Sequence, residues 1–254
     1  MKKLNYNKLK KFIEEFVVIP FYDKRTEKLK ELSLNDILSR KNPYLFRAKN
    51  IQTAGELADD ILNAHLSSQE ETIFGNLLEE LAIHINSDIF GGKKAEEGKF
   101  KSIDLIFEKD NKKYLVGIKS GPHWGNADQL RIMQQSFIDA RKILKNEGWK
   151  KEIVCINGCI YGKDNKPFKQ DKNDDRKNYY KYCGQEFWKF ISGDNNLYKT
   201  IIEPLGNEVK QRDEKFKELY VKVANKLTKD LLDNFTNDNA IDWEKILEFV
   251  SKKN

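Results

Sequence analysis

The stretch SIDLIFEKDNKKYLVGIKSG, residues 102–121, decides how this chain is read. From Ser102 to Glu108, apolar Ile103, Leu105 and Phe107 alternate with polar Ser102, Asp104 and Glu108, the period of a strand. Asp110-Asn111 is a two-residue turn, and Lys113 to Ser120 returns as a second strand. That turn pairs Glu108 with Lys113 and Asp104 with Gly117, so Asp104 and Lys119 share one face of the hairpin at diagonal positions. An acid and a lysine beside each other among apolar neighbours are a chemical pair. The carboxylate suits a hard cation, and the lysine suits a water held beside a phosphate. Lys119 enters a buried sheet behind Val116 and Ile118, where an unpaired ammonium is costly, so a partner is required.

Composition sets the frame. A chain of 254 residues with 39% hydrophobic content suits one large domain, or a core with helical additions. No run of 18 apolar residues exists, so no membrane span is expected, and Phe16–Phe21 is too short for a signal peptide. Cys155, Cys159 and Cys183 form no even disulfide framework, and three histidines (His65, His84, His123) do not suit zinc. These features fit a reducing cytoplasm. The net charge of +6 permits nucleic-acid binding without proving it.

Along the chain, Leu9, Phe12, Ile13, Phe16 and Val17 predict an opening helix that stops before Pro20. Residues 24–40 hold two short helices, the second capped by Ser33, and NPYLFRAKN (42–50) reads as irregular. Thr53–Glu56 and Ser68–Glu71 are two capping boxes, the second opening a helix to about Asn86. Asn126 and Gln129 cap a helix to about Asn146, and Glu152 to Tyr161 is a buried strand. Strand, crossover helix, strand places this last strand parallel to that of Lys119. Residues 163–181 read as a polar loop, followed by a short helix at 185–191, a long one at 207–235 and a final one at 241–250.

Asp104, a turn, then Lys119 at the end of the next strand resembles the PD-(D/E)XK nuclease core. NPYLF, HLSSQEETIFGNLLEELAIHI and YCGQEFWKF extend the likeness to type II restriction endonucleases, particularly those cutting interrupted GC-rich palindromes. Two positions depart from the pattern: Ile103 stands where proline precedes the aspartate, and Gly117 where the second acid belongs. The resemblance implies an α/β fold with a restriction-endonuclease-like core, a mixed sheet flanked by helices, with additional N- and C-terminal helices. It implies one nuclease domain over 1–254, with a catalytic core at about 68–162 and helical additions at 1–66 and 185–254.

The missing acid needs a substitute. The helix from Ser68 offers Glu70, Glu71, Glu79 and Glu80. Glu71 serves the capping box, and Glu80 neighbours Asn76 and His84. Glu79 lies between Gly75 and Ala82, small residues that let its face approach a sheet. Glu79 is therefore the expected partner of Asp104, with Lys119 acting on the water. In the resembling nucleases an acid from this helix often joins the metal site, and the carbonyl of Ile118 is a further ligand by that likeness. Oxygen donors point to Mg2+. His123, Trp124 and Asn126, in the loop after Lys119, and Arg176 with Tyr179 or Tyr180 are the expected DNA contacts. The resemblance implies a homodimer on double-stranded DNA, and a DNA methyltransferase as genetic partner. A repair or junction-resolving nuclease on the same core, and a DNA-binding protein with a decayed site, are the alternatives that Gly117 and the short motifs leave open.

Overall fold

The computed structural model describes residues 3–96, 98–164, 168–171, 174–206, 209–238 and 240–253, with side chains of 168–177 and 209–210 outside that description. In chain order the helices are α1 (Tyr6–Ile13), α2 (Ile19–Lys30), α3 (Leu34–Leu38), α4 (Pro43–Ala48), α5 (Ala54–Phe90), α6 (Ala127–Asn146), α7 (Gln185–Ser192), α8 (Leu197–Thr200), α9 (Ile202–Leu205), α10 (Val209–Phe235) and α11 (Trp243–Ser251). The strands are β1 (Lys93–Lys94), β2 (Leu105–Lys109), β3 (Lys112–Lys119), β4 (Ile153–Cys159), β5 (Phe168–Asp171), β6 (Asp174–Cys183), β7 (Thr236–Asn237) and β8 (Ala240–Ile241). The chain divides into two compact units, residues 1–17 with 75–207, and residues 18–74 with 208–254.

The first unit holds a mixed sheet in the order β1-β2-β3-β4-β6-β5. Its centre follows from the hairpin. Asp110 and Asn111 both take positive φ, 50° and 62°, which is the backbone a two-residue turn needs to match strand twist. Glu108 then faces Lys113, and Leu105 faces Val116. β3 and β4 run parallel, as the crossover through α6 requires. The Asn126 side chain accepts the Gln129 amide at 3.0 Å while the Gln129 side chain accepts the Asn126 amide at 3.0 Å, a reciprocal cap that starts α6 beside the end of β3. Met133, Phe137, Ala140 and Leu144 of α6 cover one sheet face, packed with Leu115, Cys155 and Tyr179. Burying a side chain of that size contributes roughly 1.5–3 kcal/mol. On the opposite face Phe107 stacks on Tyr114 at 4.9 Å, and Phe90 and Phe190 close over them.

The second unit is helical. Leu57, Ile61 and Leu62 of α5 form its core with Leu29, Ile37, Phe216, Leu227 and Leu231. Arg25 lies over the Phe216 ring at 3.5 Å and ion-pairs with Glu70 at 2.5 Å, so a guanidinium inside the apolar cluster keeps a partner.

Several sequence expectations are corrected. The opening helix does not end before Pro20. A π-helical turn at Glu14–Val18 absorbs the offset and α2 begins with the proline in its first turn, where its missing N–H is no loss. NPYLFRAKN is not irregular, because Asn42 caps α4 by accepting the Tyr44 amide and Pro43 opens it. Ser68 starts no helix. Leu62 and Leu66 are buried without a break in the stripe, and α5 runs through. Residues 163–181 contain β5 and β6 rather than a loop alone.

Candidate active site

Asp104 immediately precedes β2, and backbone fixes it from three sides. Its amide donates to the Val116 carbonyl at 2.9 Å, and its carbonyl accepts from Ala95 at 3.0 Å. Its Oδ2 accepts the Ile118 amide at 2.6 Å. Beyond Leu105 the register with β3 ends, so Ile118 points its N–H where β2 supplies no carbonyl. The carboxylate takes that place. A charge-assisted bond of this kind holds the side chain against the Gly117–Ile118 peptide.

Lys119, the last residue of β3, stands 3.7 Å from the same Oδ2 and 5.5 Å from the centre of the Trp124 ring. The two side chains are 27% and 19% exposed, so the pair is sheltered yet open to small solutes. The chain after Lys119 is pinned on several sides. Ile160 and Tyr161 donate to the carbonyls of Lys119 and Ser120 at 2.9 and 3.0 Å. Lys181 donates to the Pro122 carbonyl at 2.8 Å while pairing with Asp164 at 3.2 Å. A Cβ on Gly121 would stand 2.6 Å from the Tyr161 ring, so this loop lies flat under the tyrosine.

Glu79 arrives from α5. A Cβ on Gly75 would lie 2.8 Å from Ser120 Oγ, which shows how closely that helix face approaches the end of β3. One turn later Glu79 sits partly buried, its carboxyl pushed up to about 7. Burial is the main cause and the charge of Asp104 the next, with Lys119 and Lys94 pulling in the opposite direction. Glu79, Asp104 and Lys119 are thus brought within electrostatic reach of one another. Of the other helix acids, Glu70 is spent on Arg25 and Glu71 is exposed, whereas Glu80 ion-pairs with Lys94 and its charge also acts on Glu79. Lys94, on β1, escaped the sequence reading, since nothing local ties a two-residue strand to a helix acid 14 positions earlier.

The position of Gly117 leaves no open space for a side chain. A Cβ there would stand 2.8 Å from the Ser102 carbonyl oxygen, so the backbone before Asp104 fills the position. Ser102 itself takes φ 57°, which turns that carbonyl across β3. Among the described residues no three His, Cys, Asp or Glu side chains gather as a metal cluster. The oxygen set here is two carboxylates with the adjoining backbone.

The expected DNA contacts divide. His123 and Asn126 are exposed beside the site, Asn126 already using its side chain as the α6 cap. Trp124 is half-buried, packed against the core beneath α6 and under Lys119. Tyr179 is not at a DNA-reading surface: it is buried, 5.9 Å from the Phe137 ring, because alternate β6 residues face α6. Tyr180 takes the other face and stacks on Tyr182 at 5.7 Å. Arg176 lies on β6, with its side chain outside the described residues.

No helix of the described residues is long and apolar enough to cross a membrane. No curated protein matches the chain. The family described as type II restriction endonuclease EcoO109I matches residues 7–213, which contain the whole sheet, the hairpin and every residue of the site above. A match over most of the chain, on a mixed sheet flanked by helices with an acid and a lysine at the end of its central hairpin, assigns this chain to the type II restriction endonuclease EcoO109I family.

Proposed function

We propose that the protein hydrolyses phosphodiester bonds of double-stranded DNA at a short palindromic sequence, with Mg2+, acting as a homodimer that cuts each strand once. The observation that supports this reading is the pairing of Asp104 with Lys119 at the end of β3, with the partly buried Glu79 within electrostatic reach of both.

The residues fit a hard cation. A partly buried carboxyl whose proton affinity is raised by burial and by the neighbouring charge of Asp104 is well satisfied by a divalent ion shared with that neighbour. Asp104, Glu79 and the Ile118 carbonyl would hold it. Bound there, such an ion supplies charge neutralisation at the phosphate and acidity at a coordinated water. Asp104 is kept in one orientation by the Ile118 amide. Lys119 stands next to that carboxylate and orients the attacking water, its ammonium steadied over Trp124. His123 and Asn126 meet the DNA backbone beside the site, and Arg176 on β6 reads bases. A twofold dimer matches a palindromic target and cleavage of both strands. A cytoplasmic enzyme of this kind requires a cognate DNA methyltransferase in the same cell to protect its sites.

Incubation with phage DNA and Mg2+, followed by sequencing of the fragment ends, tests the reading. Discrete bands with one common end sequence are expected from the unaltered protein and not from Lys119→Ala or Asp104→Asn. Cleavage confined to branched or damaged DNA would move the protein to the repair class, and a protein that binds DNA without ever cutting would make it a binding module.

A further inference from the structure

The site holds a second lysine that the proposed mechanism leaves without work. Lys94 ends β1 in register with Leu105, and the next residue, Ala95, donates to the Asp104 carbonyl at 3.0 Å. The strand that carries Lys94 is therefore tied directly to the residue that carries the metal-binding carboxylate. The Lys94 ammonium ion-pairs with Glu80. Its charge also acts on Glu79 and Asp104.

Three acids and two lysines thus surround one place: Glu79, Glu80, Asp104, Lys94 and Lys119. Their roles are not equivalent. Glu79 is partly buried, whereas the Lys94–Glu80 pair is 58% and 52% exposed. An exposed ion pair contributes little to stability and exchanges easily. Glu80 is the acid that holds the Lys94 ammonium, while Glu79 and Asp104 act on it by charge alone. Adjacent residues on a helix diverge by about 100°, so Glu80 draws Lys94 away from the Glu79 carboxyl. The arrangement parks a mobile positive charge at the lip of the site.

We propose that Lys94 is a phosphate-contacting residue of this nuclease: on DNA binding its ammonium leaves Glu80 and takes a backbone phosphate next to the bond to be cut. Glu80 is then a positioning residue that holds Lys94 off the metal carboxylates until the duplex arrives. This rests on the nuclease reading above and extends it by one contact.

The test separates the two. Binding of a mixed-sequence fluorescent duplex in chelator is measured against salt for the unaltered protein, Lys94→Gln, Lys94→Arg, Glu80→Gln and the double variant, with thermal unfolding as the check on folding. Loss of one phosphate contact lowers the slope of log K against log salt by about 0.9. Lys94→Gln is expected to show that drop and to cut phage DNA about tenfold less efficiently, in keeping with one lost charge-assisted contact. Lys94→Arg is expected to keep the slope. Glu80→Gln should tighten binding several-fold, and much less so when Lys94 is already Gln, because the gain is released through Lys94. An unchanged slope in Lys94→Gln, or an equal gain from Glu80→Gln in both backgrounds, overturns the proposal. A protein that binds the duplex and never cuts removes the nuclease reading, while the slope still decides whether Lys94 meets phosphate.

Discussion

The carboxylate of Asp104 and the backbone amide of Ile118 are joined at 2.6 Å, across the point where one strand of the hairpin has ended and the other continues. The bond does two things at once. It satisfies an amide that the ladder leaves over, and it aims an acid at the peptide that precedes Lys119. The fold and the proposed chemistry rest on the same carboxylate, and substitutions separate them.

Asp104→Asn keeps an oxygen that accepts the Ile118 amide but removes the charge. It should unfold within a degree or two of the unaltered protein, yet lose cleavage by roughly 10³-fold, the scale of a lost electrostatic group in a catalytic site. Asp104→Ala removes the acceptor too and should cost about 1–3 kcal/mol, the desolvation of an orphaned amide. Urea unfolding beside single-turnover cleavage distinguishes the two effects.

Gly117 is glycine because the Ser102 carbonyl occupies its side-chain position. Restoring the acid with Gly117→Glu should therefore not improve the enzyme. Both Gly117→Ala and Gly117→Glu are expected to destabilise the fold by roughly 1–3 kcal/mol through overpacking. A stable and more active Gly117→Glu protein would show instead that the second acid was simply lost.

Glu79 gives the first unit a pH dependence. Its carboxyl stands at about 7 in the fold, against about 4.3 in the unfolded chain. The folded state therefore binds more protons between these values. Its contribution to stability is not diminished below about 4.3, falls as pH rises through this window, and is fully lost above about 7. After allowance for solvent screening the loss is of order 1 kcal/mol. Glu79→Gln should remove this acid-to-neutral decline and raise the melting temperature at pH 8 in chelator, while reducing cleavage to background. Equal pH profiles for the two proteins would contradict the burial of Glu79 beside Asp104.

Much of this architecture is legible in the chain because the signals are local. The Asp110-Asn111 turn dictates the hairpin register, Asn126 and Gln129 mark the start of α6, and the crossover helix makes β4 parallel to β3. Gly75 and Ala82 around Glu79 mark the helix face that meets the sheet, and Gly75 does sit against Ser120. The failures come where tertiary burial overrides a local pattern. Ser68 and Glu71 have the form of a cap, but buried Leu62 and Leu66 keep α5 continuous past them. β6 reads as polar because Lys181 points inward between Tyr179 and Cys183, and Asp164 and the Pro122 carbonyl make it tolerable there. Lys94 is invisible in the sequence, since only the folded sheet brings it to Glu80.

The central claim is that Glu79 and Asp104 share one divalent cation. Calorimetric titration of the DNA-free protein with Mg2+ at pH 7, repeated in buffers of different ionisation heat, measures both the ion and the proton it displaces. Because the Glu79 carboxyl is pushed up to about 7, binding should release a fraction of a proton per ion, and both the binding and the release should disappear in Glu79→Gln and in Asp104→Asn. Undiminished Mg2+ binding by either variant, or binding by the unaltered protein without proton release, would contradict the account.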